Sequence, residues 1–300
     1  MQLPNWSRNL LLRRRRQREK SARQELFAPV RLSLRKLEER RVLDVSAAFM
    51  SGVLEVEITN TSDVATLQDS GGNVSIRDAG NNNIDVNGSG SPPIAWSDVQ
   101  EVRVRGDAAT DQVVVFDTQL SLDAGLQVED TIESTVLADS VNSGAGITLG
   151  SDVVLEEDIM LVGTNLTFGG SIDSQPNATH KLTIDAGVGS IAFNGNIGEI
   201  VPLRGLDIQR AVGGVTFGES SPVQLINSTD PITIGSSFEI GGTGVVFNGG
   251  ANATLRIVTT NDDVTINGPT ELQSDLSINT GSRGGDIIFT AASPIDSEVG

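Results

Sequence analysis

The stretch from Leu182 to Ile208 reads L-T-I-D-A-G-V-G-S-I-A-F-N-G-N-I-G-E-I-V-P-L-R-G-L-D-I. Apolar residues alternate with polar ones over runs of three to five, and Gly, Asn, Asp or Pro interrupts each run. A period of two is the signature of a strand with one buried face, and the interruptions are residues that permit sharp turns. Related strings recur on both sides: I-T-L-G from Ile147, L-T-F-G from Leu166, V-T-F-G from Val215, I-T-I-G from Ile232 and V-T-I-N from Val264. A longer echo pairs the segment from Leu182 to Phe193 with L-S-I-N-T-G-S-R-G-G-D-I-I-F from Leu276.

No run of this length buries enough surface to stand alone, but stacked turns would share a continuous core. The sequence therefore predicts an all-β chain whose body, 132–300, is a parallel β-solenoid (β-helix) turning about every 22 residues. A β-sandwich competes, since it also needs short strands and turn clusters. The recurrence of similar strings and the few aromatic anchors favour the solenoid. The final strand run, through Thr290, meets no polar capping element, so the repeats are expected to run on past Gly300.

The segment 46–131 reads as a small β module. Its runs include G-V-L-E-V, N-V-S-I, I-D-V-N-G and V-R-V-R-G-D-A-A-T-D-Q-V, and the third leads into an Asn-Gly turn at Asn87-Gly88. Charge divides the chain near residue 45. Met1–Asp44 holds 13 Lys/Arg against 5 Asp/Glu, a net of +8, while the remainder holds 8 against 34, a net of −26. A head so different from its body reads as an address label, 1–45, largely unstructured or forming a short helix after Pro29. An unstructured basic arm and a patch for nucleic acid or anionic membrane compete with that reading.

Chemistry is sparse. The chain has no Cys, which excludes disulfides, thiolate metal sites and Cys nucleophiles. His180 is the only histidine and reads as a solvated loop residue; one His makes neither a triad nor a typical zinc site. The acidic body argues against nucleic acid as partner, and no stretch is long and apolar enough to span a membrane. Acidic clusters stand at Glu156-Glu157-Asp158 and Asp262-Asp263. Carbohydrate chemistry would need such carboxylates close together on one face, often with Arg or Lys to bind an acidic sugar. Trp6 and Trp96 look incidental. No residue is assigned catalysis or a cofactor.

The head ends in L-E-E-R-R-V-L, Leu37 to Leu43. This resembles the L-E-x-R-x-L-L signature that closes the basic leader of large exported proteins of planctomycetes and some other bacteria. Leu37, Glu38, Arg40, Val42 and Leu43 carry the match, with Val42 where Leu is usual, and Ser46-Ala47-Ala48 would suit processing. The stretch 182–208 resembles repeats of filamentous-haemagglutinin-type exoproteins, which are parallel β-helices. Together these resemblances imply a secreted or cell-surface protein, adhesin-like or structural; with no catalytic constellation in the sequence, no enzyme activity is expected of this segment, a catalytic domain past residue 300 being left open. Its partners would be surface or matrix components, polysaccharide among them. A polysaccharide-processing β-helix and a calcium-stabilised surface-layer protein are the alternatives. The module from 46 resembles ones that carry a calcium-type G-x-G-x-D turn. Here Gly106 and Asp111 remain, but Ala108-Ala109-Thr110 replaces the glycines, and a plain polar turn is expected.

Overall fold

The computed structural model describes residues 45–61, 63–107, 111–235, 244–290 and 295–297. The export-motif residues Leu37, Glu38, Arg40, Val42 and Leu43 lie outside them. Leu43–Gly300 forms one compact unit. The described residues are all-β, apart from one 3-10 turn at Trp96–Asp98.

The strands visit three sheets in rotation. Val113–Asp117 joins a seven-stranded sheet, Leu120–Leu122 an eight-stranded one and Gly125–Val128 an eleven-stranded one. The cycle repeats with Ser134–Leu137, Val141–Ser143 and Gly146–Leu149, then with Asp152–Leu155, Ile159–Val162 and Leu166–Phe168. Each strand pairs in parallel with its counterpart one circuit on. In the largest sheet Leu126, Ile147, Leu166, Ile191, Val215, Val245 and Thr270 form one row. Along this row a circuit takes from 19 residues (Ile147 to Leu166) to 30 (Val215 to Val245). The seven-stranded sheet ends at Ile172–Ser174, and parallel bridges Ile172–Ile197 and Ile197–Ile226 carry that face into a three-stranded sheet. Strands from 46–131 and from 132–300 share these sheets, Gly125–Val128 pairing directly with Gly146–Leu149.

Alternation sets the core. In Val53–Ile58 the side chains of Leu54, Val56 and Ile58 are fully buried, while Glu55 faces solvent. Stacking then places like on like. Val128, Leu149, Phe168, Phe193, Phe217, Phe247 and Leu272 form one inward column. The four Phe rings stack with centroids 4.9, 4.9 and 5.3 Å apart and planes within 7°. That separation is the strand spacing of about 4.8 Å, so the rings inherit their contact from the backbone ladder. The recurrent apolar-Thr-apolar string does not mark one face: its copies at Ile147, Leu166 and Val215 lie in the eleven-stranded sheet, those at Ile232 and Val264 in the eight-stranded one.

The first edge is closed. Val45–Met50 runs antiparallel to Val53–Ile58 across a tight turn at Ser51-Gly52, both with positive φ. Asn87 then covers the outer edge of Val45–Met50. Its backbone N–H donates to Ala47 O at 2.9 Å, its side-chain Oδ1 accepts from Phe49 N–H at 2.7 Å, and its Nδ2 donates to Phe49 O at 3.2 Å. Val64–Asp69 is flanked in the same way by antiparallel Val74–Arg77, which in turn pairs with Asn83–Ile84. Trp96 is not incidental. It packs against the core and donates its ring N–H to Gln68 O at 3.2 Å.

Candidate functional site

The charged residues that sequence leaves scattered meet where the chain enters the eight-stranded sheet. Asp158 immediately precedes Ile159, which pairs with Leu182; Asp263 precedes Val264, which pairs with Ile287. The two positions are equivalent and do the same work. Lys181 N–H donates to Asp158 Oδ1 at 2.9 Å, and Asp286 N–H donates to Asp263 Oδ1 at 2.7 Å. Each carboxylate thus satisfies a backbone donor of the next circuit at a corner where the sheet ladder has not begun. One carboxylate of each acidic cluster read from sequence, Asp158 and Asp263, therefore has a structural role at this corner.

Around Asp158 this corner also gathers the basic residues. The Arg204 guanidinium is ion-paired with the second Asp158 oxygen, and Lys181 Nζ lies 2.8 Å from Asp207 Oδ2. Arg204 N–H donates to His180 O at 2.8 Å, and Asp230 N–H donates to Arg204 O at 2.7 Å. His180 is not the solvated loop residue expected from its polar neighbours. Its side chain is only 14% exposed, its Nε2 lies 3.2 Å from Gln175 Nε2 and its Nδ1 lies 4.0 Å from Asp158 Oδ1. Adjacent-circuit stacking covers it, a contact no local sequence pattern announces.

Between these groups lies a cleft of about 300 Å³, lined by Lys181, Arg204, Asp207, Asp230, Pro231 and Thr233 around Gly205. Asp, Arg and Lys side chains thus line one cleft here. Sequence reasoning set Arg204 apart from any acidic cluster, because the 46 residues separating it from Asp158 are erased only by stacking. A second cleft, about 290 Å³, lies between Asn83–Val86 and Ser91–Ile94 and is mixed in polarity.

At the turn resembling a calcium loop, Gly106 N–H donates to Thr131 Oγ1 at 2.9 Å, and Asp111 N–H donates to Glu133 Oε2. Ala108, Ala109 and Thr110 lie outside the described residues. Among the described residues no group of three or more His, Cys, Asp or Glu is placed to hold a metal ion, and no helix is long and apolar enough to cross a membrane. No protein-family model, curated protein or solved structure matches this chain.

Proposed function

We propose that the chain is an exported cell-surface or extracellular protein whose acidic body is a parallel β-solenoid with a structural, adhesin-like role and no catalysis of its own. The observation that carries this reading is the rotation of strands through three parallel sheets with in-register stacking. Such a coil displays a long, regular outer surface built from short repeats, which is the property that binding scaffolds of this type use. Two features of the sequence support export: the basic head with Leu37, Glu38, Arg40, Val42 and Leu43, and its resemblance to planctomycete-type leaders. The excess of carboxylates on the body favours solubility outside the cell and repels nucleic acid.

The test is to separate cytosol, periplasm, envelope and medium from cells that make the protein, and to map its N-terminus by mass spectrometry. A mature start near Ser46 in envelope or medium is the expected result. An intact Met1 confined to the cytosol would overturn the export reading and return the arginine-rich head to consideration as a nucleic-acid-binding arm.

A further inference from the structure

Gly205 sits in a strand without a steric reason to be glycine. Its φ is not positive, and a Cβ built there would make only ordinary contacts, 3.4 Å to Pro231 O and 3.5 Å to Lys181 Cγ. The other strand glycines among the described residues are crowded more tightly: a Cβ at Gly106 would come within 2.1 Å of a neighbour, at Gly235 within 2.5 Å, at Gly125 within 3.0 Å and at Gly146 within 3.2 Å. Glycine in a strand weakens it and often marks a place where a ligand approaches the backbone. Here the glycine, itself buried in the sheet, lies at the base of the cleft at Lys181, Arg204, Asp207 and Asp230 and adds no side chain to it.

The chemistry of the walls narrows the ligand. In the lining two cations, Lys181 and Arg204, face two carboxylates, Asp207 and Asp230; Lys181 pairs with Asp207, and Arg204 pairs with Asp158 outside the lining. The lining carries no net charge: a simple anion meets Asp207 and Asp230, and a simple cation meets Lys181 and Arg204. A neutral molecule carrying vicinal hydroxyls suits both. Its O–H groups donate to Asp207 and Asp230, its oxygens accept from Lys181, Arg204 and the Thr233 hydroxyl, and its C–H face can rest on the exposed Pro231 ring, with no side chain at Gly205 to obstruct it. We propose that this cleft binds a neutral pyranose unit of a glycan. The source of that glycan, a surface or matrix, rests on the function proposed above; the site itself does not.

The experiment uses the 300-residue chain and saturation-transfer and titration NMR. The neutral probes are the methyl glycosides of glucose, galactose and mannose, and glucuronate and glucosamine are the charged probes. At least one neutral glycoside is expected to bind saturably, with Gly205→Val weakening it tenfold or more while leaving the melting temperature near that of the parent. Asp230→Asn and Thr233→Val, which leave the strand backbone intact, are expected to weaken it several-fold and carry the test if Gly205→Val does not fold. Binding of no neutral glycoside would overturn the proposal, as would unchanged affinity in these variants. A preference for glucuronate or glucosamine over every neutral probe would overturn it too. Because the binding is measured on purified protein, a cytosolic location would sink the export reading without touching this result.

Discussion

Phe193 and Phe217 lie ring over ring, centroids 4.9 Å apart and planes 7° from parallel, on directly paired strands of successive circuits. Neither ring can move without opening a void against the other. Phe193→Ala should therefore cost about 3–5 kcal/mol, the usual range for truncating a buried Phe. Phe193→Leu should cost far less, about 1.5 kcal/mol or under, because Leu149 and Leu272 already occupy the same column. Denaturant midpoints of the two variants check the contrast.

Successive circuits approach closely at Gly189. A Cβ at Gly189 would fall 0.9 Å from Thr164 O, a backbone atom that cannot swing aside. Gly189→Ala is expected to cost more than about 4 kcal/mol and to abolish cooperative folding. Gly205→Ala, where a Cβ has room, should stay within about 1 kcal/mol of the parent. Thermal melts followed by circular dichroism at a strand wavelength distinguish the two.

The Asn87 carboxamide closes the outer edge at Phe49 with two hydrogen bonds. Each is worth about 0.5–1.5 kcal/mol net. Asn87→Ala should speed amide exchange at Phe49 by about tenfold or more while leaving Leu54 and Val56 protected. The bared edge should also raise self-association, measured by light scattering. Unchanged exchange at Phe49 would show that the carboxamide does not close the edge.

Acid sensitivity should have one local source at Asp78. Burial works against its charged form, but hydrogen bonds from the Asn82 side chain (2.9 and 3.1 Å) and backbone N–H (2.8 Å) outweigh it and hold the carboxyl below its ordinary value. A carboxyl with a depressed folded-state pKa stabilises the fold fully above its unfolded value of about 3.9. That contribution is lost as pH falls through the lower folded value. Asp78→Asn should remove this part of the pH dependence, flattening the stability profile below about pH 4.

The parallel stacking was legible because alternation and turn residues are local: Leu182-Thr183-Ile184 and Val264-Thr265-Ile266 declare strands by themselves. Which face each run joins was not, since the same apolar-Thr-apolar string serves two sheets. The aromatic column is hidden in the sequence for a related reason. Phe168, Phe193, Phe217 and Phe247 sit 24 to 30 residues apart at uneven intervals, and only the shared end position of their strands could have aligned them. The candidate site was least legible. Asp158, Lys181, Arg204 and Asp230 come from successive circuits, so their meeting depends on loop lengths that carry no residue pattern. Even the acidic clusters needed the structure to show that Asp158 and Asp263 spend one oxygen each on a backbone N–H.

The central claim is that successive circuits stack in parallel and in register, and cysteine pairs test it directly because the chain contains none. Thr148 and Thr167 are register partners on adjacent circuits, whereas Thr216 pairs with Ala192, which itself pairs with Thr167. Paired strands lie about 4.8 Å apart, within reach of a disulfide, while three steps, about 14 Å, are not. Mild oxidation of Thr148→Cys/Thr167→Cys should give an intramolecular disulfide in near-full yield, and Thr148→Cys/Thr216→Cys should give none. Failure of the first pair to close in folded protein, or closure of the second, would contradict the stacked arrangement.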